Sequence, residues 1–175
     1  MMAANDVIEV LDRLDGAGIG AWLDGGWGVD ALLGEQTRAH DDLDLIVRVV
    51  DAEPLIAELG RDGFAIVEGR PTSNLVLGDS SGRAVDIHTV TFDEYGNGIY
   101  RMLNGEVWEY PAAGFPGTGM VAGRDVRCLT PETQMLCHSI GYDPNDRDFH
   151  DMRLLNERFA TPLVPPFDRP GSQGT

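Results

Sequence analysis

Two aspartates separated by one residue lie in a short segment where acidic and apolar residues alternate. Residues 42–47 have this pattern, and on a β-strand Asp42 and Asp44 project from the same face. Their Cα atoms are then about 6–7 Å apart, so the carboxylates repel each other unless a cation lies between them. Carboxylate oxygens suit a hard divalent ion such as Mg²⁺. The segment therefore predicts a strand that holds a metal ion.

A glycine pair, Gly25-Gly26, precedes this strand and opens a predicted helix over residues 27–33. Glycine lets a backbone turn approach a phosphate group closely. A phosphate-binding turn followed by a metal-binding strand is what nucleotide chemistry requires. We therefore predict that Gly25 and Gly26 bind a nucleotide and that Asp42 and Asp44 are metal ligands with a catalytic role.

A third acid, Asp86, lies in a second alternating segment, residues 84–88, and shares one face with His88. If this strand lies beside the Asp42/Asp44 strand, three carboxylates converge around one or two Mg²⁺ ions, which lower the pKa of an attacking hydroxyl. The alternative, a solvent-facing acid on an edge strand, stays open.

Two arginines are candidates for triphosphate binding. Arg38 lies in the loop before the metal strand, where its guanidinium can hold the β- and γ-phosphates; a solvated loop arginine is the alternative. Arg147 lies on the predicted last helix, where an i,i+4 pair with Asp151 is the alternative to a phosphate contact.

Other polar and aromatic residues are ambiguous. Asp41 is expected to be a cap or surface acid, and Asp30 either faces the acceptor or is a surface acid. His138 is expected to be a buried, hydrogen-bonded histidine rather than a catalytic one. Five aromatic residues are candidates for stacking on a base or sugar, although packing roles are expected for most of them: Trp27, Tyr95, Tyr100, Trp108 and Tyr110.

The pattern of the whole chain predicts one α/β (α+β) domain with helices beside a mixed sheet. Helices are predicted over residues 6–16, 27–33, 51–59, 130–140 and 146–159, and strands over residues 21–23, 42–47, 64–68, 74–77, 83–89 and 125–129. The segments 74–77 and 83–89 are predicted to form a hairpin, and residues 92–119 to hold another. The domain is predicted to span residues 1–160, followed by a loose Pro/Gly-rich tail over residues 161–175.

The charge balance restricts the partners. The chain has 29 Asp and Glu against 13 Lys and Arg, a formal charge of −16, which argues against nucleic acid because phosphate backbones need a basic surface. An acidic cleft favours a small cationic acceptor, although acidity can also serve solubility alone. No membrane span and no signal peptide are recognisable, and the two cysteines form no metal or redox motif, so we expect a cytoplasmic protein.

Several segments together resemble the nucleotidyltransferase superfamily and, within it, the small antibiotic nucleotidyltransferases of the lincosamide and aminoglycoside-2'' types. These segments are residues 23–34, 37–44 and 85–88, and residues 136–142 with 147–151 are similar to the lincosamide members in particular.

The resemblance implies a nucleotidyltransferase-type mixed β-sheet. It implies Mg²⁺-dependent transfer of a nucleoside monophosphate from a nucleoside triphosphate to a hydroxyl of a lincosamide or aminoglycoside, with release of pyrophosphate. ATP is the nucleotide expected ahead of the others. It also implies that Asp86 is the general base or a metal ligand and that Arg147 contacts the triphosphate.

Three other interpretations were considered. Residues 26–31 match the dinucleotide fingerprint G-x-G-x-x-A, but the preceding strand is short and the Asp42/Asp44 pair would be unexplained. A calcium loop starting at Asp42 fails because Ile46 and Val47 replace an oxygen ligand and the required glycine. A non-catalytic nucleotide-binding or regulatory module of the same fold stays open, although all three acids are present. A homodimer is also left open.

Overall fold

The computed structural model describes residues 1–140 and 143–169, and in these residues five helices accompany nine strands. The helices are α1 (Ala4–Gly16), α2 (Gly25–Leu33), α3 (Ala52–Gly60), α4 (Pro131–Ser139) and α5 (Asp146–Phe159). The strands are β1 (Ala21–Leu23), β2 (Leu43–Arg48), β3 (Ala65–Gly69), β4 (Asn74–Gly78), β5 (Ala84–Phe92), β6 (Gly98–Arg101), β7 (Val107–Tyr110), β8 (Thr118–Val121) and β9 (Arg124–Arg127). None of the described helices is long and apolar enough to cross a membrane.

Seven strands form one mixed sheet with the order β1-β2-β5-β4-β3, and β6 and β7 extend it beyond the end of β5. The strands β2 and β5 are parallel, and the other pairings in this sheet are antiparallel. A separate hairpin, β8–β9, packs near α2. The predicted α/β class with a single mixed sheet and flanking helices is confirmed.

The alternation in β2 separates the core from the site. Leu43, Leu45 and Val47 are fully buried in the largest core cluster, where residues of α1 and α3 pack against one face of the sheet. Asp44 and Ile46 project from the opposite face, and Ile46 joins a second apolar cluster with Tyr100 and Tyr110. One face of the strand therefore anchors the fold, while the other presents polar side chains.

Several predicted boundaries are corrected. The helix α1 begins two residues earlier than predicted, at Ala4, and Asp6 lies in its first turn, where it accepts a hydrogen bond from the backbone N–H of Ala3 at 2.8 Å. The helix α2 begins two residues early, at Gly25, because Asp24 caps it. Asp51 ends a short 3₁₀ turn before α3, and Ile140 lies just beyond α4.

The hairpins β4–β5 and β6–β7 confirm the two hairpins predicted from sequence. The helix predicted over residues 146–159 has these same bounds in the structure. The prediction of a loose tail is wrong for residues 161–169, because Phe167 is only 5% exposed and packs against Met152, Leu155 and Phe149. The domain boundary at residue 160 stays a prediction, and residues 170–175 lie outside the described part of the chain.

Candidate active site

The register of β2 and β5 brings two acids side by side. Asp44 is paired with Asp86 across the parallel strands, whereas Asp42 lies just before β2, which begins one residue later than predicted, at Leu43. Burial raises the pKa of Asp44 well above its usual range, and the neighbouring carboxylates of Asp42, Asp24 and Asp86 raise it further. The negative charge at this point is uncompensated, which suits a bound cation.

Asp86 is half-buried and accepts a hydrogen bond from the Asn74 side-chain amide on β4. Nε2 of His88 lies 3.8 Å from Oδ1 of Asp86. Burial raises the pKa of Asp86, although His88 and the Asn74 hydrogen bond oppose that rise. Asp86 therefore lies beside a histidine on a central strand, between β2 and β4, and not on an edge strand.

No three His, Cys, Asp or Glu side chains among residues 1–140 and 143–169 form a complete metal-binding group by themselves. Asp44 and Asp86 are neighbours through strand register, and Asp42 is close enough to raise the pKa of Asp44; like charges keep such carboxylates apart until a cation draws them together. Their oxygen donors are of the type that hard divalent ions prefer.

The glycine pair fits the start of α2 closely against these acids. The Asp24 side chain accepts a hydrogen bond from Gly25 N–H at 2.9 Å and caps the helix. Gly25 has a φ of +55°, and a Cβ atom there would run into the Asp44 carboxylate. A Cβ at Gly26 would run into the side chains of Arg38 and His40. The N–H groups of the first turn, which a helix leaves without internal partners, are therefore close to the acids of β2.

The two predicted phosphate-binding arginines are held by different acids. Nε and Nη2 of Arg38 donate to the Asp151 carboxylate at 3.0 and 2.6 Å, and Asp151 is 1% exposed. Arg147 donates from Nη1 to Asp41 at 2.8 Å on the surface, and this lowers the pKa of Asp41. The alternative pairing of Arg147 with Asp151 is wrong, whereas Asp41 is an exposed acid as predicted.

Both alternatives predicted for Asp30 are wrong. It is neither a surface acid nor an acceptor-facing residue, because it is 2% exposed and binds His40 and Thr37. His138 is buried, and its Nδ1 lies 3.0 Å from Oδ1 of Asp148, which confirms the prediction of a hydrogen-bonded histidine. The sequence analysis assigned no role to His40. Its position two residues before Asp42 is the signal that could have identified it as a site residue.

A cavity of about 480 Å³ joins these residues and has two chemically different halves. The polar half is lined by Asp24, Gly25, Gly26, Arg38, His40, Asp41, Asp42, Asp44, Asn145, Arg147 and Asp148. The other half is mainly aromatic and apolar and is lined by His88, Tyr100, Met102, Trp108, Tyr110, Cys137, His138 and Ile140. Asp86 is not part of the cavity wall. A larger cavity of about 670 Å³, between α1, α2 and the β8–β9 hairpin, contains none of the predicted site residues.

Stacking and hydrogen bonds order the aromatic half. The rings of His88 and Tyr100 stack with their centroids 5.0 Å apart, and His88 Nδ1 lies 3.1 Å from the Tyr110 hydroxyl. Of the other predicted stacking residues, Trp27 is buried in the core and Tyr95 is exposed away from the cavity. Burial raises the pKa of Cys137 well above its usual range, so this thiol on the wall is not a nucleophile.

The fold is shared with nucleotidyltransferases of known structure. A lincomycin-bound lincosamide antibiotic adenylyltransferase, LnuA, superposes with a TM-score of 0.77 and 27% identity, covering 89% of this chain and 97% of that one. An ANT(2'')-Ia enzyme in complex with adenylyl-2''-tobramycin shares the fold with a TM-score of 0.71 and 22% identity, covering 89% and 88% of the two chains. The shared fold places the chain in the nucleotidyltransferase class.

Sequence comparison narrows the class to a family. The profile of the aminoglycoside-2''-adenylyltransferase family matches residues 6–155. A lincosamide resistance protein of Staphylococcus haemolyticus is 30% identical over 159 residues, 88% of this chain and 98% of that protein. A 2''-aminoglycoside nucleotidyltransferase of Klebsiella pneumoniae is 30% identical over 123 residues, and this match spans 69% of this chain and 63% of that protein.

The chain therefore belongs to the aminoglycoside-2''-adenylyltransferase family. It is an enzyme of the nucleotidyltransferase class, and the predicted resemblance to the small antibiotic nucleotidyltransferases is confirmed. The segment 136–142, which resembled the lincosamide members, ends in Gly141 and Tyr142, which lie outside the described residues.

Proposed function

We propose that this protein transfers a nucleoside monophosphate from a nucleoside triphosphate, ATP first, to a hydroxyl of a small cationic antibiotic, releasing pyrophosphate in an Mg²⁺-dependent reaction. One observation carries the proposal: Asp44 on β2 lies against the glycine-rich start of α2, and Asp42, just before β2, lines the same cavity. Membership of the antibiotic nucleotidyltransferase family supports it. Cellular triphosphate pools would place this reaction in the cytoplasm.

The acids fit the metal. Asp42 and Asp44 would hold Mg²⁺ through their carboxylate oxygens, and Asp86 is the third available ligand. Burial raises the pKa of Asp44, and the neighbouring carboxylates of Asp42, Asp24 and Asp86 raise it further, so a cation at this point would be stabilised. When bound, the metal neutralises charge on the transferring phosphate and lowers the pKa of the attacking hydroxyl.

The phosphates would bind along the polar half of the cavity. The close backbone approach that Gly25 and Gly26 allow, the Gly26 N–H and the partial positive charge of the α2 N-terminus suit the negatively charged triphosphate, whereas the Gly25 N–H already donates to Asp24. Arg38 and Arg147 line the same half and bring guanidinium groups to it. Near Asp44 the chain thus supplies both the acids that hold a metal and the donors that hold a phosphate.

Asp86 is assigned as the general base and as a neighbour of the metal. Its carboxylate already accepts one hydrogen bond, from Asn74, and its second oxygen is available to take the proton of the attacking hydroxyl. His88, 3.8 Å away, is placed to receive that proton in turn.

The aromatic half of the cavity would bind the acceptor. Tyr100, Trp108, Met102 and Ile140 offer an apolar surface to a sugar or hydrocarbon face, and the acids of the polar half attract an amine. The aromatic half offers few acids to bind several amines. A lincosamide, which carries a single amine, therefore fits this half better than a polyamine aminoglycoside does. This chain matches 98% of the length of a lincosamide resistance protein, and this match also favours a lincosamide over an aminoglycoside.

Replacing Asp44 tests the proposal. Asp44→Asn should lower turnover by several orders of magnitude, because charge stabilisation at the transferring phosphate is lost. The unfolding temperature without metal should stay equal or rise, because the substitution removes a charge that the fold holds at a cost. Single-turnover rates and thermal unfolding would be measured on the same preparations. Turnover close to wild type in Asp44→Asn would reject the mechanism.

A further inference from the structure

The two edges of the seven-stranded sheet differ in how they are covered. At the β1 edge, the residues after β9 add a hydrogen bond, because the backbone N–H of Leu129 donates to the carbonyl of Leu23 at 3.1 Å. At the other edge, β3 pairs only with β4, and β7 pairs only with β6, within the described residues. An open edge strand offers N–H and C=O groups with which another chain can pair.

The strand registers place β3 and β7 end to end along this open edge. On one side of β5, β2 pairs with residues 85–90, so β4 and β6 both lie on the other side, beside residues 84–88 and 90–92. The hydroxyl of Ser73, just before β4, donates to the carbonyl of Arg101 at the end of β6, at 2.6 Å. Since β3 is antiparallel to β4 and β7 is antiparallel to β6, both outer strands run in the direction of β5.

The open edge carries apolar side chains that the fold leaves exposed. Ile66 and Val67 lie on β3, Val107 lies on β7, and Leu103 lies in the turn that joins β6 to β7. Val67 is 65% exposed and Val107 is 53% exposed. All five residues of β3 are exposed, so nothing in the described part of the chain covers this strand. Exposed apolar side chains on an open edge strand indicate a surface that binds another chain.

The shared direction of β3 and β7 favours a second copy of this chain as the partner. A two-fold axis between the two strands, perpendicular to the sheet, places β3 of each copy antiparallel to β7 of the other copy. Both open strands are then paired in both copies. Such a dimer is closed, because this side of the sheet has no open strand left for a third copy.

Charges next to the two strands fit the same arrangement. Arg70 directly follows β3 and Glu106 directly precedes β7, and both side chains are exposed without an ion pair among the described residues. In a register that places Gly69 opposite the partner's Val107, Arg70 lies opposite the partner's Glu106. The two-fold axis produces this pair twice. Opposite charges at facing positions stabilise antiparallel strands.

We propose that this protein forms a two-fold symmetric dimer in which β3 of each copy pairs with β7 of the other and Arg70 faces Glu106 across the edge. The five residues of β3 and the four of β7 are fewer than the roughly 20–30 residues per side of a standard interface, so the dimer dissociates reversibly. Because β7 carries Trp108 and Tyr110, β3 of the partner subunit lies beside the aromatic half of the cavity. The dimer does not depend on the proposed function.

Sedimentation equilibrium of the full chain measures the dimer directly. Between about 1 and 100 µM the wild-type protein should change from monomer to dimer. Val67→Lys and Val107→Lys should each raise Kd at least about tenfold, because lysine on an edge strand opposes pairing. Val50→Lys is the control, since Val50 is 69% exposed on the turn before α3 and its replacement changes the net charge equally. This control should keep the wild-type Kd.

A wild-type protein that stays monomeric over this range would overturn the proposal. The same conclusion would follow if all three lysine variants changed Kd equally, because net charge and not the edge would then be responsible. Loss of the dimer in Val67→Lys alone would show that β3 pairs with itself, which would reject its pairing with β7. Thermal unfolding at a concentration where the wild type is monomeric checks that each variant is folded.

A charge exchange tests the contact between the two strands. Arg70→Glu should raise Kd at least about tenfold, because it places two acids opposite each other twice in the dimer. Adding Glu106→Arg to Arg70→Glu should return Kd to within a few-fold of the wild-type value. Failure of the second substitution to restore the dimer would reject the proposed facing of Arg70 and Glu106.

Discussion

At the scale of single residues, Asp86 is the side chain for which two roles are proposed, general base and metal ligand. Strand register places it beside Asp44, yet the Asn74 amide binds it and His88 lies near it. A carboxylate in these surroundings is suited to accept a proton as well as to bind a metal ion. Its two roles predict different behaviour when the charge is removed.

Asp86→Asn separates the two roles. If Asp86 is mainly the base, turnover should fall by about 10²–10⁴-fold while binding of the Mg²⁺–nucleotide complex stays within a few-fold of wild type. Calorimetry of nucleotide binding and single-turnover rates provide the two readouts. A joint fall in both would assign Asp86 as a ligand, and unchanged turnover would remove it from the site.

The residues that sequence predicted well are those whose signal is local. The Asp42/Asp44 pair at the start of β2 and the bounds of α5 depend on neighbours in the chain and were visible as spacing. The partners of Arg38 and Asp30 were not predictable in this way, because Arg38 binds an acid 113 residues away and Asp30 meets His40 only through the path of the intervening loop. Side chains of this kind acquire their roles from tertiary contacts.

At the scale of elements, the strands and hairpins were predicted more completely than the helix starts. Alternation sets a strand along its whole length, whereas a helix start depends on which residue supplies the cap, and Asp24 displaced the predicted start of α2 to Gly25. The sequence argument assumed that β2 and β5 lie side by side but did not predict their parallel pairing. This pairing requires the connection through α3, β3 and β4, which no local pattern encodes.

The segment after α5 is the element that composition described least well. Its prolines and glycines favoured a loose tail, but Phe167 contacts Phe149 edge to face at 5.1 Å and closes the cluster that α2, α4 and α5 share. This segment supports α5, which carries Arg147 to the cavity and Asp151 to its ion pair with Arg38. Packing of one aromatic side chain thus outweighs the local composition.

Phe167→Ala should therefore destabilise the protein. Removing a buried phenylalanine costs about 3–5 kcal/mol of unfolding free energy through lost burial and the cavity left behind. Chemical denaturation measures this value, and Phe159→Ala is the control because Phe159 is 40% exposed at the end of α5. Similar small losses in both variants would show that the segment does not support α5.

At the scale of the whole molecule, the charge of −16 and the family agree on the kind of acceptor. A strongly acidic surface repels nucleic acid and attracts small cations. The cavity has two kinds of lining: acids and candidate phosphate-binding donors in one half, and aromatic side chains in the other. In the proposed function, these two halves would hold the metal and triphosphate beside an amine-bearing acceptor.

The most direct test of the account is a mass measurement on the antibiotic. The protein would be incubated with Mg²⁺, each nucleoside triphosphate and a panel that includes lincomycin and tobramycin, and the products analysed by mass spectrometry. The account predicts that lincomycin gains one nucleoside monophosphate, most readily from ATP, with release of pyrophosphate, and that the gain disappears when Mg²⁺ is chelated or Asp44 is replaced by Asn. The absence of an adduct on every antibiotic tested, or an adduct that persists in Asp44→Asn, would contradict it.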